Sequence, residues 1–209
     1  GGDNWTQQAY VPHYEKTLWF ENGEEITIPE DFYSSKFIVD KTIKQLENNR
    51  QKDETKNKPF FSYVSFQAVH IPVQAPKAFT EKYVGSYKGG WDQLRLRRQQ
   101  AVLDLGLLPA NAPMKRMPTT ADWNDLSEEE QRFNDKRMAV YAGMVDAMDH
   151  HIGRLLQYLK DTDQYDNTVI VFTSDNGPEA SEVPSIMRKI LGYNQDYDTL
   201  GERYSYNTI

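Results

Sequence analysis

The chain has 209 residues, 38% hydrophobic and 26% charged, with a formal net charge of -7. That length suits one domain, or one and a part, with a substantial buried core, and the acidic balance argues against a nucleic-acid-binding surface, which should be basic. The absence of cysteine excludes a disulfide framework, a thiol nucleophile and a zinc–thiolate site within these residues, and no apolar run approaches the roughly eighteen residues of a membrane-spanning helix.

The chain opens on Gly1-Gly2-Asp3-Asn4-Trp5, without Met or a signal peptide, and closes on Tyr206-Asn207-Thr208-Ile209. Both ends are expected to be cuts from something longer. In "LWFENGEEITIPEDF", Asn22-Gly23 is a tight-turn dipeptide and predicts a small hairpin. From Asp31 to about Asn49 the pattern is helical, with Val39, Ile43 and Leu46 on one face. "QKDETKNK" (51–58) is a charged connection. "PFFSYVSFQ" (59–67) is aromatic and β-rich, with apolar residues on both faces, as in a strand covered on both sides. It runs into "AVHIPVQAP" (68–76), where two prolines end regular structure.

Residues 83–109 predict a glycine-containing loop and then a helix with Leu94, Ala101, Val102 and Leu105 on one face. Within it, the basic run "RLRR" (95–98) is explained by a solvated face. Residues 109–125 read as a surface excursion, and the whole stretch 77–125 could line a pocket. Its Trp91 and Trp123 could stack on an aromatic ligand or pack on the protein. Residues 126–161 carry the clearest helical pattern. Ser127 and Glu130 form a capping box. Met138, Tyr141, Ala142, Val145, Met148, Ile152, Leu155, Leu156 and Leu159 trace an apolar stripe, the methionines reading as core. A turn then leads into a second apolar strand, 168–173, inside "VIVFTSDNGPE". Two strands buried on both faces with a helix between them imply parallel pairing in an α/β sheet.

In open α/β sheets ligands sit beyond the carboxyl ends of the strands. His70 follows the first strand; Asp175 and Asn176 follow the second. Parallel strands would put all three on one rim. Asp175 and Asn176 offer the oxygen donors that Ca²⁺ and Mg²⁺ prefer, and Gly177 lets the backbone turn away. Asp-Asn-Gly is equally good turn chemistry, and on the motif alone the turn is favoured. His70 could donate a hydrogen bond to an anion or transfer a proton, or could be satisfied by loop carbonyls. His150 and His151 are adjacent on a helix, face different directions and read as surface or partly buried residues, not ligands. His13 has no evident partner. Phosphate-binding glycine loops and a Gly-x-Ser-x-Gly elbow are absent from the sequence.

"PFFSYVSFQAVHIPVQAP", "MAVYAGMVDAMDHHIGRLLQYL" and "DNTVIVFTSDNGPE" together resemble the sulfatase family of the alkaline-phosphatase-like superfamily, bacterial arylsulfatases in particular. "IPEDFYSSKFIVDKTIKQL" and "GYNQDYDTLGERYSYN" extend the likeness over nearly the whole chain. The resemblance implies a parallel or mixed central sheet flanked by helices, incomplete here. It implies that Asp175 and Asn176 are ligands of a catalytic Ca²⁺ or Mg²⁺, and that His70 contacts the sulfate group of a small-molecule sulfate ester. The family nucleophile is a formylglycine made in a Cys/Ser-x-Pro-x-Arg motif. This chain has neither cysteine nor Ser-x-Pro-x-Arg, nor the family's N-terminal Asp-Asp metal ligands, its Gly-Lys-x-His segment or its downstream lysine. The resemblance therefore implies the central part of a sulfatase catalytic domain over 1–209, with no second domain, inactive on its own and a weak metal binder. A phosphomonoester or phosphonate hydrolase of the same superfamily and a non-catalytic binding module are the rival readings. Sheet strands without their neighbours would leave an open edge and an apolar face prone to association.

Overall fold

The computed structural model describes residues 18–114, 120–177 and 196–202. His13 and the residues after Gly177 in the Asp-Asn-Gly stretch lie outside them. The first element is the expected hairpin, β1 (Trp19–Glu21) paired antiparallel with β2 (Glu24–Ile26). Its turn needs two left-handed residues, and Asn22 (φ 54°) and Gly23 (φ 88°) supply them. The hairpin is held on α1 (Ser34–Gln51) by an aromatic cluster in which the Trp19 ring lies 5.0 Å from Phe32 and 5.6 Å from Phe37. Lys41 also donates to Glu21 at 2.5 Å. Helix α1 buries Val39 and Leu46 as predicted, with Ile43 half-buried between them.

The spine is α4 (Glu128–Asp161), 34 residues long. The capping box forms as read: the Ser127 amide donates to Glu130 Oε2 at 2.8 Å, and the Glu130 amide donates to Ser127 Oγ at 3.3 Å. Three glutamates in the first turn and Lys160 in the last oppose the helix dipole. Leu159 of the predicted stripe is buried, but the rest of the buried face sits about one position away from it. Ala139, Val140, Gly143, Met144, Ala147 and His151 are buried, whereas Val145 of the predicted stripe is exposed. The shift has a steric cause. Ala139, Gly143 and Ala147 recur every four residues, and this small-residue ridge lets neighbouring backbone approach the helix more closely than the larger stripe residues could.

That neighbour is the stretch after His70. Residues 73–76 and the short helix α2 (Lys77–Thr80) lie on α4. A Cβ added to Gly143 would come within 2.8 Å of the Thr80 amide nitrogen and 2.9 Å of its Cα. Val73, Ala75, Val140, Met144 and Leu200 make the core of this contact. The following loop is fixed by Asp135, a buried carboxylate that accepts from the Gly85 amide at 3.0 Å and the Tyr87 amide at 2.7 Å.

Helix α3 (Gly90–Asp104) forms after the glycine-containing loop, as the sequence predicts. Ala101 is exposed, Leu105 is 72% exposed and only Gly90 of the helix is buried. The helix is charged over most of its circumference and is seated at its first residue. Gly90 adopts φ 77°, with the Trp123 ring 2.3 Å from where a Cβ would lie, so Trp123 fills that space.

The largest difference from expectation concerns the sheet. Residues 59–67 and 168–174 make no strand pairing in this structure, and among the described residues the only sheet is the hairpin β1–β2. Both segments are solvent-exposed where burial on two faces is expected: Phe61 is 93%, Tyr63 83%, Val169 91% and Phe172 73% exposed. Apolar residues on both faces signal what a strand needs on either side; they do not supply it. A strand forms only against a partner that completes its backbone hydrogen bonds, and no partner for either segment occurs among the described residues.

Two predictions follow from this packing. Gly143→Ala forces the α2–α4 contact apart and lowers stability by about 1–3 kcal/mol. Gly153→Ala, on the same helix with open space around it, raises stability by about 0.5–1 kcal/mol; urea unfolding of the two variants should move in opposite directions. The uncharged, β-prone run Val169–Phe172 should drive concentration-dependent association, visible by light scattering. The double variant Val169→Lys, Val171→Lys should reduce it.

Candidate functional site

His70 stands at an exposed bend between the segment 59–67 and the docked stretch 73–76. Its amide donates to Gln67 O at 2.8 Å, and the bonds Ala68–Val69 and Ile71–Pro72 on either side are cis. The ring Nδ1 lies 2.7 Å from Ile71 O. A carbonyl can only accept, so Nδ1 carries the proton and the neutral ring keeps its lone pair on Nε2. Its own loop thus fixes the tautomer of the neutral ring, with a loop carbonyl satisfying Nδ1.

The stretch beyond His70 is fastened from three sides. From α1, Tyr33 Oη donates to Gln74 O at 3.2 Å, and burial pushes this phenol's pKa well up. From α4, Val140 and Met144 pack against Val73 and Ala75. From residues 196–202, the Gly201 carbonyl accepts from the Ala75 amide at 3.0 Å. Sequence reading missed the third support; the one signal for it was Gly201, which adopts φ 84° directly against the Val140 methyls.

Asp175 and Asn176 sit in an exposed bend after the second extended segment. The turn chemistry is present: the Asn176 amide donates to Asp175 Oδ1 at 3.0 Å, Ser174 Oγ donates to Asn176 O at 2.5 Å, and Asn176 Nδ2 donates to Gly177 O at 2.6 Å. Gly177 does not use a left-handed backbone here. The turn spends one carboxylate oxygen and the amide nitrogen, and leaves Asp175 Oδ2 and Asn176 Oδ1. These are hard oxygen donors, suited to Ca²⁺ or Mg²⁺ in kind but too few for the roughly six to eight ligands of a calcium site. Among the described residues no group of three or more His, Asp or Glu side chains could hold a metal ion. No hydrogen bond or ion pair joins His70 to Asp175 or Asn176. The shared rim depends on a sheet that the described residues do not form.

The remaining candidates resolve into structure. Trp91 and Trp123 pack edge to face at 4.8 Å, and Trp91 Nε1 donates to Ala121 O at 3.0 Å, so these rings pack on the protein. His150 is exposed beside Phe79, and His151 is buried. Arg154 donates to His151 Nδ1 at 3.1 Å and to Asp40 Oδ1 at 2.5 Å, tying α4 to α1. Burial first, then the Arg154 and His150 charges, lower the His151 pKa from 6.5 to about 4. Met138, Tyr141, Ala142 and Val145 of the predicted stripe line an open groove of about 330 Å³ together with Tyr83, Tyr87 and Arg98.

The comparisons now bear on this geometry. The model of the family described as Sulfatase matches residues 2–207. The chain belongs to the sulfatase family. An uncharacterized sulfatase of Schizosaccharomyces pombe is 44% identical over 159 residues, covering 75% of this chain and 28% of that protein. An arylsulfatase of Klebsiella aerogenes is 30% identical over 196 residues, covering 91% of this chain and 40% of the enzyme. An N-acetylglucosamine-6-O-sulfatase of Bacteroides thetaiotaomicron is 28% identical, covering 85% and 39%. The chain thus spans well under half the length of these sulfatases. Family membership carries an alkaline-phosphatase-like α/β fold, of which the described residues show the helices and the hairpin. No described helix is long and apolar enough to cross a membrane.

The folded-state pKa of His151, about 4, lies below the ordinary 6.5, so between those values the unfolded chain binds more protons. Stability is then full above about pH 6.5 and falls as the pH drops toward about 4. The urea midpoint should decline through that window, and His151→Gln should flatten the decline.

Proposed function

We propose that this chain is the central part of the catalytic domain of a metal-dependent sulfatase whose whole protein hydrolyses small-molecule sulfate esters, aryl sulfates among them. The observation that carries the reading is the family match over 2–207, with His70-x-Pro72 and Ser174-Asp175-Asn176-Gly177 each directly following an extended apolar segment. In the whole protein, residues 59–67 and 168–173 become strands of a parallel or mixed central sheet flanked by α1 and α4. Their exposed apolar side chains are then covered, and His70, Asp175 and Asn176 meet on one rim.

In this site Asp175 and Asn176 are two ligands of a Ca²⁺ or Mg²⁺. The cation supplies neutralisation of negative charge on sulfate oxygens. His70 works alongside it: with Nδ1 committed to Ile71 O, protonation of Nε2 would give a donor aimed at a sulfate oxygen, and the bare nitrogen can take a proton. The nucleophile is a formylglycine outside these residues, since the chain holds neither cysteine nor Ser-x-Pro-x-Arg. The 209 residues alone are therefore inactive, and with half of a ligand set they bind Ca²⁺ weakly.

The test compares nitrophenyl sulfate with nitrophenyl phosphate on the full-length protein. Turnover of the sulfate is expected, abolished by a chelator and reduced about a hundredfold or more in kcat/KM by Asp175→Ala or His70→Ala. Turnover of the phosphate alone would favour the phosphomonoesterase reading, and turnover of neither a binding module. Sulfatase activity of the isolated chain above a mock purification, or micromolar Ca²⁺ affinity of that chain by calorimetry, would contradict the assignment of the missing parts.

A further inference from the structure

We infer that residues 197–201 form a clamp that positions the His70 segment, and that Lys136 is the positioning residue that seats the clamp. The role of His70 rests on the function proposed above; the clamp itself rests on contacts. Lys136 on α4 donates to the carbonyl of Tyr197 and, at 3.3 Å, to that of Asp198. Its ammonium also sits 4.5 Å from the centre of the Tyr197 ring, with the Arg132 guanidinium 4.5 Å from the same ring. One cation thus takes up two carbonyls and an aromatic face of a segment about sixty residues away along the chain.

The seated turn delivers two contacts to the His70 side. Leu200, 3% exposed, enters the core formed by Val73, Ala75, Val140 and Met144. Gly201 then presents its carbonyl to the Ala75 amide at 3.0 Å. That approach requires glycine, because a Cβ at position 201 would lie 2.5 Å from a Val140 methyl carbon and the backbone is at φ 84°. Ala75 is five residues from His70, joined to it through Pro72 and the buried residues Val73 and Gln74. This short tether transmits a displacement of the clamp to the imidazole. Displacements of about 1 Å at a reacting centre are enough to slow turnover severely.

The test uses Lys136→Met, which keeps the aliphatic stem and removes the donors, and Lys136→Arg, which restores them. Amide exchange at Ala75 is read in the 209-residue chain, and kcat and KM for nitrophenyl sulfate in the full-length protein. Lys136→Met should speed Ala75 exchange about tenfold or more. It should lower kcat about tenfold with a much smaller change in KM, and Lys136→Arg should recover both. Unchanged Ala75 exchange overturns the clamp, and faster exchange with unchanged kcat overturns its positioning role. Should Lys136→Met loosen α4 throughout, Leu200→Ala makes the same test from the clamp's side with the same expected results. A wild-type protein that turns over no sulfate ester counts against the proposed function, while Ala75 exchange still decides the clamp.

Discussion

Gly143 has no side chain where the backbone of Phe79 and Thr80 crosses α4, and the rest of the structure depends on that close crossing. With Ala139 and Ala147 one turn to either side, it brings α2 against the spine at backbone distance. The segment leading into α2 is thereby laid along Val140 and Met144. A bulkier ridge would push this segment outward, opening the core around Val73 and Ala75 and loosening the Tyr33–Gln74 bond from α1. The ordered support of the candidate sulfate-contacting histidine is thus a consequence of three small residues on a helix that does not itself carry the histidine.

The other half of the candidate site has no such support. Asp175, Asn176 and Gly177 close a small turn on their own hydrogen bonds at the end of an exposed segment. The contrast follows from how each half is stabilised. The His70 segment is fixed by side-chain packing against helices that the chain contains. The Asp175 segment relies on backbone pairing in a sheet, and a sheet strand cannot be satisfied by its own sequence. Exposed Val169, Val171 and Phe172 mark the faces that such a sheet, and the helices covering it, would bury.

This difference also explains what was legible in the sequence. Local signals read correctly: Asn22-Gly23 gave the hairpin turn, Ser127 and Glu130 the start of α4, and Val39 and Leu46 the buried face of α1. Each rests on neighbours within a few residues. Readings that needed a distant partner went astray. Most of the buried face of α4 lies about one position from its large apolar residues, because the small ridge of Ala139, Gly143 and Ala147 sets the contact. Helix α3 is seated mainly through Gly90 and Trp123, so the shared face of Leu94, Ala101, Val102 and Leu105 makes no buried stripe. The clamp at 197–201 leaves no signal beyond Gly201, because a lysine and a Leu-Gly pair carry no long-range signature. For the site, the sequence offers His70, Asp175 and Asn176 as candidates by residue type, and the match over 2–207 places the chain in the sulfatase family. Their mutual distance is not legible, since it is set by sheet register.

The central claim is that, in the whole protein, residues 59–67 and 168–173 become sheet strands that bring His70 to Asp175 and Asn176. A crystal structure of the full-length protein measures this most directly. The account predicts both segments inside one parallel or mixed sheet, Phe61 and Phe172 buried, and His70, Asp175 and Asn176 around one pocket on the same rim. Either segment lying outside the sheet, or His70 and Asp175 at opposite ends of it, would contradict the account.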